Sequence, residues 1–407
     1  MKKMIILASI LFLAIIVKAQ TFEDQKSDIP EFEKVKIKVG ADFALQFQAL
    51  DHSNTNDTIE YYDLVNNINL PTANLNLDAY LAYGVKLHLR TYLSSRHHNE
   101  AWVKGGYIQF DRLDFISEGF LSGIMDITTI KVGLDEVNYG DAHFRRSDNA
   151  RAINNPFVGN YIMDAFTTEA FGEIVIQKSG FIGLIGVSNG KLNQNVAVDN
   201  RYNYDNALSF YGKLGYDKQF TEDFRARLTG SWYINHGKST GTYLYSGDRA
   251  GSRYYSVLVE DGASDNFRSG RFNPNFKQIN AFQINPFVKF KGLEFFGIYE
   301  IATGVKDDDG GNYSQLAADL LYRFGGDEQF YIGGRYNMVT GKQTSASENL
   351  SISRINLGGG WFLTKNILAK VEYVNQKYTG DGVVPTLGAS YKGAEFSGLM
   401  IEAAVSF

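Results

Sequence analysis

Three groups of side chains in this sequence have the types and spacing to do chemistry. His143 stands four residues before Ser147, and His97 and His98 follow Ser94 and Ser95, so each group pairs a hydroxyl with an imidazole, the parts of a nucleophile and its base. Asp307, Asp308 and Asp309, followed by Gly310, Gly311 and Asn312, have the composition of a calcium loop. Asp141, His143, Arg145, Arg146, Asp148 and Arg151 crowd charge into one short stretch, and fixed charge beside a narrow water-filled passage selects ions by sign. Neither serine–histidine group sits in a Gly-x-Ser-x-Gly elbow between a strand and a helix, and the acidic run lacks a closing Glu twelve residues from its first Asp. With six His and no Cys, the chain shows no metal-ligand spacing, so no cofactor and no enzyme is expected. The charged stretch remains, and its use depends on what holds it.

The positioning elements are strands. From Leu399 to Phe407 every second residue is apolar or small, while Met400, Glu402, Ala404 and Ser406 take the other face. Val35, Ile37, Val39, Ala41, Phe43, Leu45 and Phe47 alternate with Lys36, Lys38, Asp42, Gln46 and Gln48. Leu77, Leu81, Val85, Leu87 and Leu89 oppose Lys86, His88 and Arg90; Phe224, Ala226, Leu228, Trp232 and Ile234 oppose Arg225, Arg227, Thr229 and Asn235. Leu316, Ala318, Leu320, Tyr322 and Phe324 oppose Gln315, Asp319 and Arg323, and the same alternation recurs elsewhere. One face suits lipid and the other meets water, the pattern of a membrane-spanning β-barrel rather than of two packed sheets. The terminal Phe407 fits the last strand of such a barrel.

Met1–Ala19 reads as a cleaved leader: lysines at positions 2 and 3, an apolar run from Met4 to Val17, and Val17-Lys18-Ala19 before the cut. That run is shorter than the ~20 residues a spanning helix needs. The reading divides the chain into a signal at 1–19, a short periplasmic segment at 20–34 and a barrel at 35–407, delivered to the bacterial outer membrane, with the barrel-assembly machinery and outer-membrane lipid as partners. Without Cys there is neither a disulfide nor a lipid-anchor site. Gly 41, Tyr 25 and Phe 29 against Pro 6 describe many strands and turns. A mean hydropathy of -0.22 is no obstacle, because only alternate residues of a barrel strand face lipid. The formal net charge of -5 becomes more negative by three once Lys2, Lys3 and Lys18 are removed, which argues against nucleic acid as a partner.

Connections alternate in length. Lys178-Ser179-Gly180, Thr221-Glu222-Asp223, Lys291-Gly292, Gly325–Glu328 and Thr364-Lys365-Asn366 are tight turns, whereas Asp135–Asp164, Lys191–Asp205, Gly237–Lys277, Val305–Tyr313, Thr340–Asn349 and Thr379–Lys392 are long and polar. Short turns on one rim and long loops on the other suit an antiparallel barrel of about 16 strands, with 14 to 18 allowed and Thr58–Val65 taken as a weak second strand. On that count Asp135–Asp164 is the third outer loop. A barrel of this size leaves an aqueous lumen, and a loop carrying Phe144, Ile153, Phe157, Val158, Ile162, Met163 and Phe166 is expected to fold inward.

The run Val137-Asn138-Tyr139-Gly140-Asp141-Ala142-His143-Phe144-Arg145-Arg146-Ser147-Asp148-Asn149, with Asn155-Pro156-Phe157-Val158-Gly159-Asn160 and Met163-Asp164-Ala165-Phe166-Thr167-Thr168-Glu169, resembles the signature of the phosphate-selective-porin-like (porin O and P type) family of outer-membrane barrels. The resemblance implies a sixteen-stranded, homotrimeric diffusion channel for small hydrophilic solutes or ions with a constricting third loop. It also implies a basic ladder along the pore. Here Lys86, Arg90, Arg225, Arg227, Lys289, Arg323, Arg335, Arg354 and Lys370 are instead interleaved with Glu173, Asp217, Glu294, Glu300, Asp319, Glu372 and Glu402.

The expectations that follow are specific. Arg145, Arg146 and Arg151, with His143, Asp141 and Asp148, form the constriction and face Lys86, His88 and Arg90 across the pore, favouring anions; Arg225, Arg227, Lys289, Arg323, Arg335 and Arg354 line the wall. The alternative is a docking or adhesive barrel that uses Tyr243, Tyr245, Tyr254, Tyr255 and Phe267 of the Gly237–Lys277 loop. A TonB-dependent transporter is not expected, since nothing before Val35 has the length of a plug domain.

Overall fold

Alternation of apolar and polar residues becomes alternation of exposure in the computed structural model of the chain. In the strand Gly310–Phe324, Leu316, Leu320, Tyr322 and Phe324 point outward and are exposed, whereas Tyr313, Gln315, Ala317, Asp319 and Leu321 point inward and are buried. The structure describes residues 20–24, 29, 31–56, 58–69, 71–94, 100–146, 151–191, 207–237, 243–245, 252–260, 270–306, 309–385 and 389–407.

Sixteen strands close a barrel, each antiparallel to its sequence neighbour: β1 Lys36–Asn54, β2 Thr72–Ala82, β3 Val85–Ser94, β4 Glu100–Phe110, β5 Thr128–Glu136, β6 Thr168–Lys178, β7 Phe181–Ser188 and β8 Ser209–Thr221, followed by β9 Phe224–Asn235, β10 Gln278–Phe290, β11 Leu293–Val305, β12 Gly310–Phe324, β13 Phe330–Lys342, β14 Leu350–Thr364, β15 Ile367–Tyr378 and β16 Ala394–Ser406. Closure comes from β1 pairing with β16, from Asp42 opposite Ser406 to Asn54 opposite Ala394. Phe407 extends that seam, its amide donating to the Ala41 carbonyl at 3.0 Å. Closing the sheet removes every open strand edge, which backbone groups in hydrocarbon require.

The strand number agrees with the sequence reading, but two strands differ in position. Leu77–Arg90 is not one strand; a turn at Tyr83-Gly84 breaks it into β2 and β3, and Thr58–Val65 forms no strand beyond an isolated bridge from Tyr61 to Glu260. Gly84 makes this turn with φ +68, and a Cβ there would lie 2.4 Å from the Arg112 Cβ. Gly84→Ala is therefore expected to cost roughly 1–2 kcal/mol from the left-handed backbone, read as a lower denaturant midpoint of the folded barrel; an unshifted midpoint removes the turn assignment.

The outward face carries an apolar belt. Tyr322, Phe324, Phe330 and Trp361 stack along the short-turn rim with successive ring centroids 6.1, 5.6 and 5.8 Å apart, an aromatic girdle at the expected membrane boundary. One short-rim connection is long: 111–127 holds the single helical turn α1 (Ser122–Met125) and leaves Phe115, Ile116, Leu121 and Ile124 exposed. Periodicity gave no signal for it.

Candidate functional site

A barrel interior lined with charge suits an irregular segment, because a buried loop must find partners for its own peptide groups. The connection from β5 to β6, residues 137–167, finds them on the inner faces of β10 to β15. The Val158 and Gly159 amides donate to Glu372 at 2.7 and 3.3 Å, and the Ile162 amide donates to Asn337 at 2.7 Å. Gln315 accepts from the Met163 amide at 2.9 Å and donates back to its carbonyl at 2.7 Å, standing where a neighbouring strand would stand. Lys370 donates to the carbonyls of Ala152, Asn155 and Phe157, at 2.9 to 3.1 Å. Among its described residues the segment makes only two single 3-10 turns, Ala142–Arg145 and Ala152–Asn154, so its shape is set by the wall.

Its charged side chains are paired too. Arg145 lies 3.3 Å from Glu294 and 3.2 Å from Asp319, with its guanidinium over the Phe296 ring. Asp319 also takes two bonds from Arg335, at 2.7 and 2.8 Å, and one from the Tyr161 hydroxyl at 2.9 Å. Arg146 pairs with Asp164 and stacks on Phe166. Asp141 sits between Lys213 and Arg227, at 2.9 and 2.8 Å, and accepts from Thr229. These groups are almost wholly buried, where a charge without a partner is costly.

Two further segments enter the lumen. In the connection from β9 to β10, Tyr245 donates to Glu300 at 2.7 Å, Tyr254 to Glu372 at 2.7 Å, and Arg253 to Glu402 at 2.8 Å. Tyr139 of the third loop donates to the same Glu300, and Met163 bridges to Phe272, so the third and fifth loops lock together. A Cβ on Gly159 would fall 1.9 Å from the Tyr254 hydroxyl, so a larger residue there requires the buried tyrosine ring to shift. Tyr245 and Tyr254 are buried, so the docking surface expected from them is not presented; Tyr255 is half-buried, the side chain of Tyr243 is not described, and Phe267 lies outside the described residues. From the other rim, Gln20, Phe22 and Glu23 reach inside the barrel, against the expectation of a purely periplasmic 20–34 segment. Glu23 lies 2.8 Å from Lys213 and 2.7 Å from Arg227. Burial opposes its charge, but Lys213 and Arg227 outweigh that and hold its pKa below the ordinary glutamate value of 4.5.

A cavity of about 810 Å³ lies against the inner faces of β1 to β6. Of the expected constriction residues, Lys86, Arg90, His143 and Arg151 line it; Arg145, Arg146 and Asp141 do not, and Asp148 lies outside the described residues. The expectation that Arg145 and Arg146 face Lys86, His88 and Arg90 across open water is thus corrected: Glu294, Asp319 and Asp164 draw both arginines into the filled half. His143 adds no charge at neutral pH, because burial, reinforced by Lys213 and Arg151, pushes its pKa well below the imidazole range. The six wall cations also stay out of the cavity. Arg225 pairs with Asp217, Arg227 with Asp141, Lys289 with Glu328, Arg323 with Glu294 and Arg335 with Asp319, while Arg354 donates to Gln376 and to the Asn160 and Gly270 carbonyls.

Within the cavity, Arg90 pairs with Asp135, Arg151 with Glu136, and Lys131 lies 3.9 Å from Glu173. Lys34, Lys36 and Lys38 also line it, and sequence reasoning did not single them out as site residues. Among the described residues none of the three has a carboxylate within 4.0 Å; Lys38 instead lies over the Tyr80 ring. Their signal was available in the sequence: three lysines at alternate positions, one just before the first strand and two opening it.

Known proteins match this architecture in structure only. No family model matches, and no curated protein matches the sequence. The barrel is similar to an anion-selective porin from Comamonas acidovorans (11% identity, 92% of this chain and 100% of that one, TM-score 0.53) and to the outer membrane channel DcaP of Acinetobacter baumannii (11%, 93% and 99%, 0.53). It is also similar to OmpT, an outer membrane protein of Vibrio cholerae (11%, 94% and 100%, 0.53). The chain thus has the fold of outer-membrane barrels of the porin type.

The sequence-based exclusion of an enzyme is withdrawn. The matched chains include OmpT beside the channels, and identities of 9 to 11% establish the fold alone, on which catalysis is not excluded. The motif argument was incomplete as well, since Gly186-Val187-Ser188-Asn189-Gly190 is a Gly-x-Ser-x-Gly run at the end of β7. Ser188 there donates to Glu169, and among the described residues no imidazole hydrogen-bonds to it. His143 meets Asn138, and Ser147, His97 and His98 lie outside the described residues.

Proposed function

We propose that the chain is an outer-membrane channel through which small hydrophilic solutes diffuse along the passage beside β1 to β6, with a bias toward anions set by Lys34, Lys36 and Lys38. The observation that carries the reading is the asymmetry of the lumen. One half is packed with loop and ion pairs; the other keeps a cavity of about 810 Å³ lined by charged groups of both signs together with apolar and aromatic side chains. The anion-selective porin among the similar structures supports the sign. Lys86, Arg90 and Arg151 contribute less, each being close to a carboxylate. Phosphate specificity does not follow, because Arg225, Arg227, Lys289, Arg323, Arg335, Arg354 and Lys370 of the ladder are held by carboxylates and carbonyls away from the cavity, and Lys86 and Arg90 lie beside Asp78 and Asp135. Assembly as a homotrimer is proposed on the family resemblance, and one similar OmpT structure is a trimer form.

Single-channel recording of refolded protein in a planar bilayer under a potassium chloride gradient tests the reading. Steps grouped in threes with an anion-biased reversal potential are expected. Replacing Lys34, Lys36 and Lys38 together by Glu should move the reversal potential toward cations, most strongly at low salt, where screening is weak. A folded barrel that never conducts sinks the channel; selectivity unchanged in the triple variant sinks the role of the lysines.

A further inference from the structure

Lys213 on β8 and Arg225 and Arg227 on β9 bring three cations together on the inner wall. Two carboxylates belong permanently to the same place, Asp217 on β8 and Asp141 on the third loop: Arg225 donates to Asp217 at 2.9 and 2.7 Å, and Arg227 donates to Asp141 at 2.8 Å from each of two nitrogens. Without the N-terminal segment this cluster holds three positive charges against two negative ones. Glu23 supplies the third carboxylate, its two oxygens lying against Lys213 and Arg227. An aromatic collar fits the residue beside it. The Phe22 ring meets Phe287 and Phe144 edge-on, at 5.2 and 5.9 Å between centroids, and lies 4.3 Å from the Arg227 guanidinium. The Gln20 carbonyl accepts from Arg225 at 2.7 Å.

This attachment differs from that of the two inserted loops. Each loop is anchored by strands at both ends, whereas among the described residues a strand follows this segment and none precedes it. Thr21 to Asp24 also line the open cavity, so the segment borders the passage instead of lying in the packed half. A group carrying one carboxylate, seated in a cluster short of one negative charge and next to open water, is in the position of a ligand.

We propose that Lys213, Arg225 and Arg227 form a binding socket for carboxylate solutes, occupied here by the chain's own Glu23, so that Gln20–Asp24 acts as a tethered competitor narrowing the passage until a carboxylate solute displaces it. The proposal rests on the channel reading for its physiological meaning; the socket itself can be tested without conduction.

The sequence contains no Cys, so Thr21→Cys accepts a single spin label at an exposed position beside the socket. In detergent-folded barrel the label is expected to be immobilised. Sodium succinate should release it, while sodium chloride at equal ionic strength leaves it held. Glu23→Gln in the same background should abolish the immobilised component without succinate, and Phe22→Ala should weaken it, both checked for folding by heat-modifiable mobility. A label that stays immobile in Glu23→Gln, or that responds equally to succinate and chloride, overturns the socket. In the bilayer, Glu23→Gln is expected to raise single-channel conductance. If no variant conducts while succinate still frees the label, the channel reading fails and the socket stands.

Discussion

Asp319→Ala is expected to free the third loop from the wall. Asp319 is the one carboxylate shared by Arg145, Arg335 and the Tyr161 hydroxyl, and its removal leaves Arg335 with only carbonyl and amide oxygens. Removing one partner of a buried pair costs about 3–5 kcal/mol, mostly because the remaining charge is stranded. The loop can escape that cost by leaving the wall and letting water reach Arg335. A lower unfolding midpoint and a larger single-channel conductance should therefore appear together. Asp319→Ala combined with Arg335→Ala should cost less than the sum of the single changes, since the second substitution removes the stranded charge. If conductance and midpoint both match the parent, the network does not hold the loop.

The neighbouring residue gives the second large effect by a different route. Leu320 points away from the lumen and is exposed on the lipid face, one position from the buried Asp319. Leu320→Arg places a charge in the apolar belt two residues inside the aromatic girdle, at a cost between the roughly 2–4 kcal/mol of the bilayer midplane and the ~0–1 kcal/mol of its boundary. The protein should refold poorly into vesicles, while a Leu320→Arg barrel that does fold keeps the parent's ion selectivity. Tolerance of arginine in vesicles without loss of folding would mean that this face does not meet lipid.

The contrast between these residues also explains what the sequence made legible. Strand faces follow from a two-residue period, so the inward Gln315, Asp319 and Arg323 and the outward Leu316 and Leu320 could be assigned before any coordinates. Tight turns at Ser179-Gly180 and Glu222-Asp223 were legible from turn chemistry. Tyr83-Gly84 was missed because the apolar pattern runs through the turn without a break. The loops were harder. Arg145 and Arg146 were assigned to open water by their charge, but their positions depend on Glu294, Asp319 and Asp164, two of them on strands far away in sequence. The wall carboxylates Glu294, Glu300, Asp319, Glu372 and Glu402, which in the sequence only interrupt a basic ladder, turn out to be anchors for inserted segments. No local pattern reports such pairings. The same limit hid Glu23, whose partners Lys213 and Arg227 lie far onward in the sequence.

The seam between β1 and β16 sets the order of events during folding. Every other neighbouring pair can zip up as the chain emerges, but Asp42 cannot meet Ser406 until the final strand exists. Until then both seam strands offer unpaired amides and carbonyls, templates for pairing with the wrong chain. A contact between the two ends of the sequence is also the slowest to find by diffusion, because its loop-closure entropy comes due before any reward. Ring closure is therefore the step expected to be slowest and most open to mispairing, and removing the last strand is expected to leave two unpaired edges rather than a smaller closed barrel.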